Sequence, residues 1–400
     1  MLTVIFILEN RRWRKTDPIR NREAYTRILR EEIIPASGCI EPISISYCAA
    51  KAHQVLGMQP TAVMVSVSED ILKNVKGVIV PNTRGLKGVR ASVAVGIICG
   101  DAESGMQAIE SVSDEQHAAV VNFMDSVNID VSCAETDCRP YISITLYART
   151  SYSRVVIAGS YSNIVEIMKN GEALMKRPIL TSIDDEQTDR SFMNLHDIVA
   201  YADGIEISEI KDLLDMQIDY NTAICQEGLC NHYGADVGRI LLDNHDSDMK
   251  TVAKANVAAG MEAHMNGCKM PAALLCGSVD QGIAASVPIV CCATRRSMDA
   301  ERTYRALIVS DLLTVYLKSV GVQSSATCGA IRAGCATGAG IAYLFEGNAD
   351  AVEQTFRNAV SMSCDMVCDG IKPSCPMKAA AAIESGILGY QIYLRKNENN

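Results

Sequence analysis

The hydrophobic pattern changes period along this chain. In the first half short apolar runs alternate with polar residues. TAVMVSVSED (61–70) alternates as a strand does, and GVIVPNTRG (77–85) reads as a strand ending in a turn. Three further strand-like pieces follow: NIDVSCAE (128–135), PYISITLYART (140–150) and SRVVIAGSYSNIVEIMKNGE (153–172). Lys169-Asn170-Gly171 predicts a hairpin tip. Among these runs lie helical segments. REAYTRILREEIIP predicts a helix reaching Pro35, and ASGCIEPISISYCAAKAHQVLG opens with a turn and becomes a second helix, with Pro42 in its first turn. GVRASVAVGIICG and SDEQHAAVVNFMDSV read as two more, the first rich in small residues. From Phe192 onward the spacing is helical almost to the end, with few strand runs.

The expected fold class is therefore α+β: a mixed N-terminal half with a small antiparallel sheet, then an all-helical C-terminal half. The boundaries drawn are 1–20 as an N-terminal extension, 21–190 as the α+β domain and 191–400 as the helical domain, joined near SIDDEQTDRS (182–191). The opening MLTVIFILENRRWRK has a short apolar run with its positive charges after it, and no cleavage site of small residues follows. It reads as neither a membrane span nor a secretory leader, and the expected location is the cytoplasm.

Composition narrows the function. The chain has 400 residues, is 48% hydrophobic and carries a net charge of −10. That balance argues against non-specific binding to nucleic acid and predicts a globular protein. It leaves room for anionic substrates in a locally positive site. Sixteen cysteines are many for this length. In a reducing compartment they are read as free thiols, and Cys48, Cys99, Cys276, Cys291 and Cys292 as small buried hydrophobes.

Chemistry is sought where cysteines stand among glycines and polar residues. Between Ser324 and Lys378 they occur at Cys328, Cys335, Cys364, Cys368 and Cys375. Thiolates are soft ligands for iron–sulfur clusters, and small neighbours permit close approach. The C-x₂-C pair common in zinc sites is absent, as are ferredoxin spacings, so spacing alone leaves a cysteine-rich helical core and a metal site both open. GSVDQG is not a dinucleotide fingerprint, and Gly334 to Gly340 has no lysine placed as in a P-loop.

Taken together, ASGCIEPISIS, LKN with GVIVPNT, GLKG, GSYSNIVEIMKNGE, ICQEGL, GSVDQGIAASVP, TCGAIRAGCATGAGIAYL and CDGIKPSCPMK resemble the L-cysteine desulfidase family, related to the α-chain of iron–sulfur L-serine dehydratases. The segments run in family order from about Glu31 to about Gly389. The resemblance implies one [4Fe–4S] cluster held by Cys328, Cys368 and Cys375, with one iron not ligated by cysteine and free to act as a Lewis acid. It implies no pyridoxal phosphate. Cys39 in SGCIEP matches an active-site cysteine, and its position near a helix start would lower its thiol pKa and suit it as a base. Cys335 and Cys364 have no such counterpart and are read as packing residues. The implied reaction is β-elimination of H₂S from L-cysteine, giving pyruvate, ammonia and sulfide.

Lys73, Asn74, Ser160, Asn163, Gln226, Glu227, Ser278 and Gln281 are the candidate substrate contacts, although singly each also suits a helix cap or a turn. The chain departs from the family pattern at Ile40 (usually threonine), Tyr161 (histidine), Asn82 (glycine), His264 (arginine), Asp280 (asparagine) and Asp311 (histidine). Losing a cation and gaining an acid would alter recognition of a carboxylate. Alternatives are therefore an L-serine dehydratase, a divergent lyase of another small amino or hydroxy acid, a non-catalytic cluster-bearing binding protein, and, more weakly, a structural zinc site. A small amino acid is the expected partner, with no nucleic acid and no membrane; a homo-oligomer is compatible with the sequence.

Overall fold

The computed structural model describes residues 21–37, 40–109, 112–179, 188–243, 248–320, 329–363 and 373–398. The expected N-terminal extension, and Cys39, Cys328, Cys364 and Cys368, lie outside the described residues.

The first helix, α1 (Arg22–Glu32), stops three residues before the expected Pro35. Ile34–Ser37 forms a strand, β1, which pairs antiparallel with β8 (Pro271–Leu274), Ile34 opposite Leu274. A proline disfavours helix in the residue before it, and this one sits in a two-stranded ribbon that a helical reading could not anticipate. Helix α2 (Ile40–Leu56) follows, then β2 (Ala62–Val67) and α3 (Glu69–Val75). The expected strand in GVIVPNTRG reduces to one bridge, Ile79 to Lys87. Its central residues Asn82 and Arg84 adopt φ of 64° and 55°, which takes them out of extended backbone. Helices α4 (Gly88–Cys99) and α5 (Asp114–Ser126) fall within the two segments read as helical. Ser113 and Gln116 form a reciprocal capping box at the start of α5.

Strands β3 (Asn128–Cys133), β4 (Tyr141–Ala148), β5 (Ser151–Ala158), β6 (Ile164–Lys169) and β7 (Glu172–Lys176) complete a sheet ordered β3-β2-β4-β5-β6-β7. The sheet is mixed: β2 and β3 run parallel, and every other neighbour pair is antiparallel. The connection through α3, α4 and α5 allows that parallel pair. Asn170 and Gly171, with φ of 51° and 87°, make the expected β6–β7 tip. One face of the sheet buries Val63, Val65, Ile142, Ile144, Val155 and Ile157 against α2 and α4 in a core of its own.

The C-terminal half is helical apart from β8: α6 (Leu195–Gly204), α7 (Lys211–Cys230), α8 (Val237–Asp243), α9 (Met249–Met265), α10 (Val279–Arg295), α11 (Ala300–Ser319), α12 (Gly329–Glu346), α13 (Ala349–Ser363) and α14 (Cys375–Glu398). These form a second, larger core, to which α1 contributes Tyr25, Ile28 and Leu29. Helices α10, α11 and α12 meet where the Ala285 carbonyl accepts both Ser310 Oγ (2.7 Å) and Thr337 Oγ1 (3.1 Å). Among the described residues no helix is long and apolar enough to cross a membrane.

Candidate functional site

Two stretches of chain lead from a β1–β8 strand into a helix at the seam between the two cores. One runs from β1 past Cys39 into α2, the other from β8 through Cys276-Gly277-Ser278 into α10. The second turns sharply because Cys276 and Gly277 both take positive φ, 56° and 80°. Between them lies a small pocket lined by Ile40, Glu41, Asn74, Tyr161, His264, Leu274, Gly277, Ser278, Val279 and Asp280.

Glu41 is the pivot of this pocket. Its carboxylate is buried and accepts hydrogen bonds from Asn74 Nδ2 at 3.0 Å and Tyr161 OH at 3.3 Å. Ser44, one turn on, fixes the Tyr161 backbone by donating to its carbonyl at 2.6 Å. Burial pushes the Glu41 carboxyl up to about 7; the bond from Asn74 opposes this, and the nearby acids Asp70 and Asp280 add to it. His264, also buried, is held down to about 4 by desolvation, so its ring is neutral at physiological pH. Among the described residues its ring has no hydrogen-bond partner.

A second polar group adjoins the pocket through the first turn of α10. While Asp280 lines the pocket, the next residue, Gln281, lies against Gly329 at the start of α12. A β-carbon on Gly329 would sit 2.5 Å from the Gln281 amide carbon, so a larger residue there would displace that side chain. Gln281 is 6% exposed, and its Oε1 has no partner among the described residues. One turn along α12, Arg332 has a buried Nε that is likewise without a hydrogen bond. Asp311, fully buried, accepts from Gln217 Nε2 at 3.0 Å and is pushed up to about 7 by burial. The Cys276 thiol, pushed up to about 12 chiefly by burial, feels Glu32, Lys318, Arg332 and Asp311 together. Acids and bases of α1, α11 and α12 therefore surround the strand-to-helix turn.

Helices α12 and α14 run parallel in close contact. Gly334 meets Ala382 and Gly338 meets Gly386, so the two chains keep one offset; a β-carbon on Gly338 would come within 2.5 Å of Gly386 Cα. Carried back along both helices, that offset brings the start of α14, with buried Cys375, to within about a turn of the level of Gly329. Cys328 immediately precedes Gly329 in the sequence. Two parallel helix N-termini side by side favour an anion, and a cluster with thiolate ligands is one. Cys375 is thus compatible with the expected mount, while among the described residues no three metal-ligating side chains are grouped.

Comparison with known proteins bears on this arrangement. The model of the serine dehydratase alpha chain family matches residues 92–400. The chain belongs to that family. It is also 43% identical over 374 residues to a UPF0597 protein of Desulfitobacterium hafniense, covering 94% of this chain and 87% of that protein. A UPF0597 protein of Finegoldia magna is 40% identical over 379 residues (94% and 89% covered), and one of Lachnoclostridium phytofermentans is 37% identical over 368 (92% and 88%). The α10 turn, α12 and α14 all lie inside the family match, whereas Glu41 and Asn74 lie before it.

The expected contacts divide by location. Asn74 and Ser278 line the pocket and Gln281 adjoins it. Lys73 instead pairs with Glu69 on the surface of α3 at 2.7 Å. Ser160 is exposed, and Asn163 holds the β5–β6 turn by donating to the Ala158 carbonyl at 3.0 Å. Gln226 donates to Asn256 at 3.0 Å, and Glu227 accepts from Asn231 and Tyr233 at the end of α7, away from the pocket lining. Of the family departures, Ile40, Tyr161, His264 and Asp280 share the pocket. Cys48, Cys276 and Cys292 are buried as expected, Cys99 and Cys291 half-buried, and Cys335 buried in α12. Sequence reasoning passed over Glu41, two residues after Cys39, and Arg332, four after Cys328. Their proximity to those cysteines was the available signal.

Proposed function

We propose that this protein is an iron–sulfur-dependent lyase that eliminates H₂S from L-cysteine, giving pyruvate, ammonia and sulfide. Family membership supports an amino-acid lyase in general terms. The observation that carries the finer reading is the meeting of three stretches at one turn. Ile40 and Glu41, directly after Cys39, line a pocket with Gly277–Asp280; Gly329, directly after Cys328, lies on Gln281; and Cys375 opens the helix parallel to α12.

In this reading Cys328, Cys368 and Cys375 hold a [4Fe–4S] cluster. When bound, the cluster supplies a Lewis-acidic iron that stabilises developing negative charge. The chain's own residues do the rest. Arg332, whose buried Nε has no hydrogen bond among the described residues, binds the substrate α-carboxylate near Gly329. Cys39 removes the α-proton; sulfide then leaves the β-carbon, and the enamine formed takes up water to give pyruvate and ammonia. Burial of the surrounding side chains limits access of bulk water to the reacting groups.

Membership of the serine dehydratase alpha chain family also supports a second reading, L-serine as substrate with hydroxide leaving. Anaerobic turnover of the purified protein with each amino acid separates them. Sulfide and pyruvate in equal amounts from cysteine are expected. Pyruvate from serine with no sulfide from cysteine would reverse the assignment, and no pyruvate from either would leave a binding protein.

A further inference from the structure

Farther along α12 and α14 lies a second, larger pocket of about 500 Å³. Its walls are Met249 at the start of α9, Met298 between α10 and α11, Ile341 and Phe345 on α12, and Ile387 and Leu394 on α14. Ile341 and Ile387 each stand about 18 Å along their helices from Gly329 and Cys375, so this pocket is separate from the strand-to-helix turn. Phe345 and Tyr390 stack with ring centroids 5.8 Å apart and planes at 23°, which makes part of the wall a preformed aromatic surface. The Tyr390 hydroxyl is engaged with Glu346, to which it donates at 2.6 Å. Two cations, Lys250 and Arg296, join this apolar lining. Lys250 pairs with Glu384 at 3.2 Å. Arg296, just past the end of α10, is exposed, and its side chain has no hydrogen bond or ion pair among the described residues. Its charge still reaches the wall: burial and the bond to Glu346 raise the Tyr390 phenol, and Arg296 is the cation that opposes them. A space of about 300–1,000 Å³ walled by apolar and aromatic side chains, with a few polar groups, is the ordinary form of a small-molecule site.

We propose that this pocket binds an apolar monocarboxylate, its hydrocarbon body against the α12–α14 wall and its carboxylate on the Arg296 guanidinium. Three features select that class. The walls offer burial to a hydrocarbon, worth about 25 cal/mol for each Å² taken out of water. Met249 and Met298 are unbranched and adapt their shape, which suits a flexible chain better than one rigid ring system. The charge at the exposed edge of the lining is positive: a guanidinium holds a carboxylate through two parallel hydrogen bonds and repels an ammonium-headed amphiphile. Gln391, also exposed on the lining, adds a neutral amide donor beside it. Such a ligand touches α9, α12 and α14 at once and stabilises their packing by mass action.

The test titrates the full chain, purified anaerobically, with octanoate, octylamine and acetate in a calorimeter. Octanoate should bind at one site per chain, with the negative heat-capacity change of apolar burial. Its affinity should exceed that of octylamine by about tenfold or more, the scale of a hydrogen bond between charged groups, and acetate should give no measurable heat. Arg296→Gln should weaken octanoate by about tenfold and leave octylamine within about twofold, and Arg296→Lys should recover part of the loss. Leu394→Glu, which sets an acid in the wall, should weaken octanoate by at least as much. Because Arg296 is exposed, its replacement leaves the core untouched and decides the question whatever Leu394→Glu does to folding. Equal affinity for octanoate and octylamine, binding at many sites, no octanoate binding, or an Arg296→Gln variant that binds like the wild type would each overturn the inference. Sedimentation covers the other occupant: dimers that Leu394→Glu splits into monomers, with no octanoate bound, would make this face a contact between two copies and overturn it too. None of these readouts involves pyruvate, so the result stands apart from the lyase reading.

Discussion

Glu41→Gln should make the protein more stable at alkaline pH. The carboxyl is fully buried and its pKa stands at about 7 against an ordinary 4.5, with burial as the main cause. Below pH 4.5 the group is protonated in both folded and unfolded chains, and its titration costs nothing. Between 4.5 and about 7 the unfolded chain releases the proton while the folded one keeps it, so stability falls as pH rises; above about 7 the full cost is present. At about 1.4 kcal/mol for each pH unit, that cost is about 3 kcal/mol. Glutamine has the same shape, and its carbonyl still accepts from Asn74 and Tyr161, so it removes the ionisation cost without opening a cavity. Urea unfolding at pH 8.5 should give the variant up to about 3 kcal/mol of added stability, shrinking to about zero at pH 4.5. An equal effect at both pH values, or destabilisation at pH 8.5, would refute the electrostatic argument.

Replacing Cys328, Cys368 or Cys375 by alanine should each abolish iron–sulfur absorbance, whereas Cys39→Ala should retain it and lose turnover; anaerobic iron and sulfide analysis with a pyruvate assay checks both. Gly338→Ala pushes a methyl group against Gly386 Cα, so it should cost about 1–3 kcal/mol in unfolding measurements and lower iron content, because it parts the helices that bring Cys375 towards Gly329. Gly204→Ala, with no atom within 4 Å of the added carbon, is the control and should do neither. His264 keeps its ring neutral down to about 4 where the unfolded chain protonates at 6.5, so stability should fall as pH drops through that interval; His264→Gln should remove most of a fall of about 3 kcal/mol, read by urea unfolding at pH 7 and pH 4.5. Arg332→Ala should raise KM by about tenfold or more with a smaller change in kcat if the guanidinium binds the α-carboxylate as proposed.

Much of the fold was legible because it is local. The alternation of Ala62–Val67, the helical segment at Asp114–Ser126 and the Asn170-Gly171 tip each depend on neighbours in sequence, and each appears in the structure. The misreadings depend on distant partners. Ile34–Ser37 is a strand only because Pro271–Leu274 comes to lie beside it, more than two hundred residues away. The sheet is mixed rather than antiparallel because β3 returns to the outer edge of β2 after three helices. Likewise GVIVPNTRG has the composition of a strand but, among the described residues, lacks a partner strand to pair with along its length, and its positive-φ residues turn it into a loop. The site divides in the same way. Ser278, Gln281 and Asn74 were marked by polar residues among glycines, and they do gather. Lys73, Asn163, Gln226 and Glu227 carry the same signal and use it to satisfy an ion pair, a turn and a helix end. Polarity beside glycine reports a constrained backbone; what the constraint serves is set by partners that only the fold supplies.

The position of the pocket puts two walls on one small turn. Adjacent residues in the first turn of a helix point in different directions, about 100° apart. At the start of α10 this sends Asp280 towards the sheet-bearing half, where Glu41 waits, and Gln281 towards α12, where Gly329 makes room. The two walls that Asp280 and Gln281 face are therefore joined by a single rigid element. That element is fixed in turn by the Ala285 carbonyl, which binds α11 and α12 through Ser310 and Thr337. A change in either wall reaches the other through the backbone of two residues. This predicts coupling rather than additivity between Asp280→Asn and Gln281→Ala in urea unfolding, the behaviour expected of neighbours on one element.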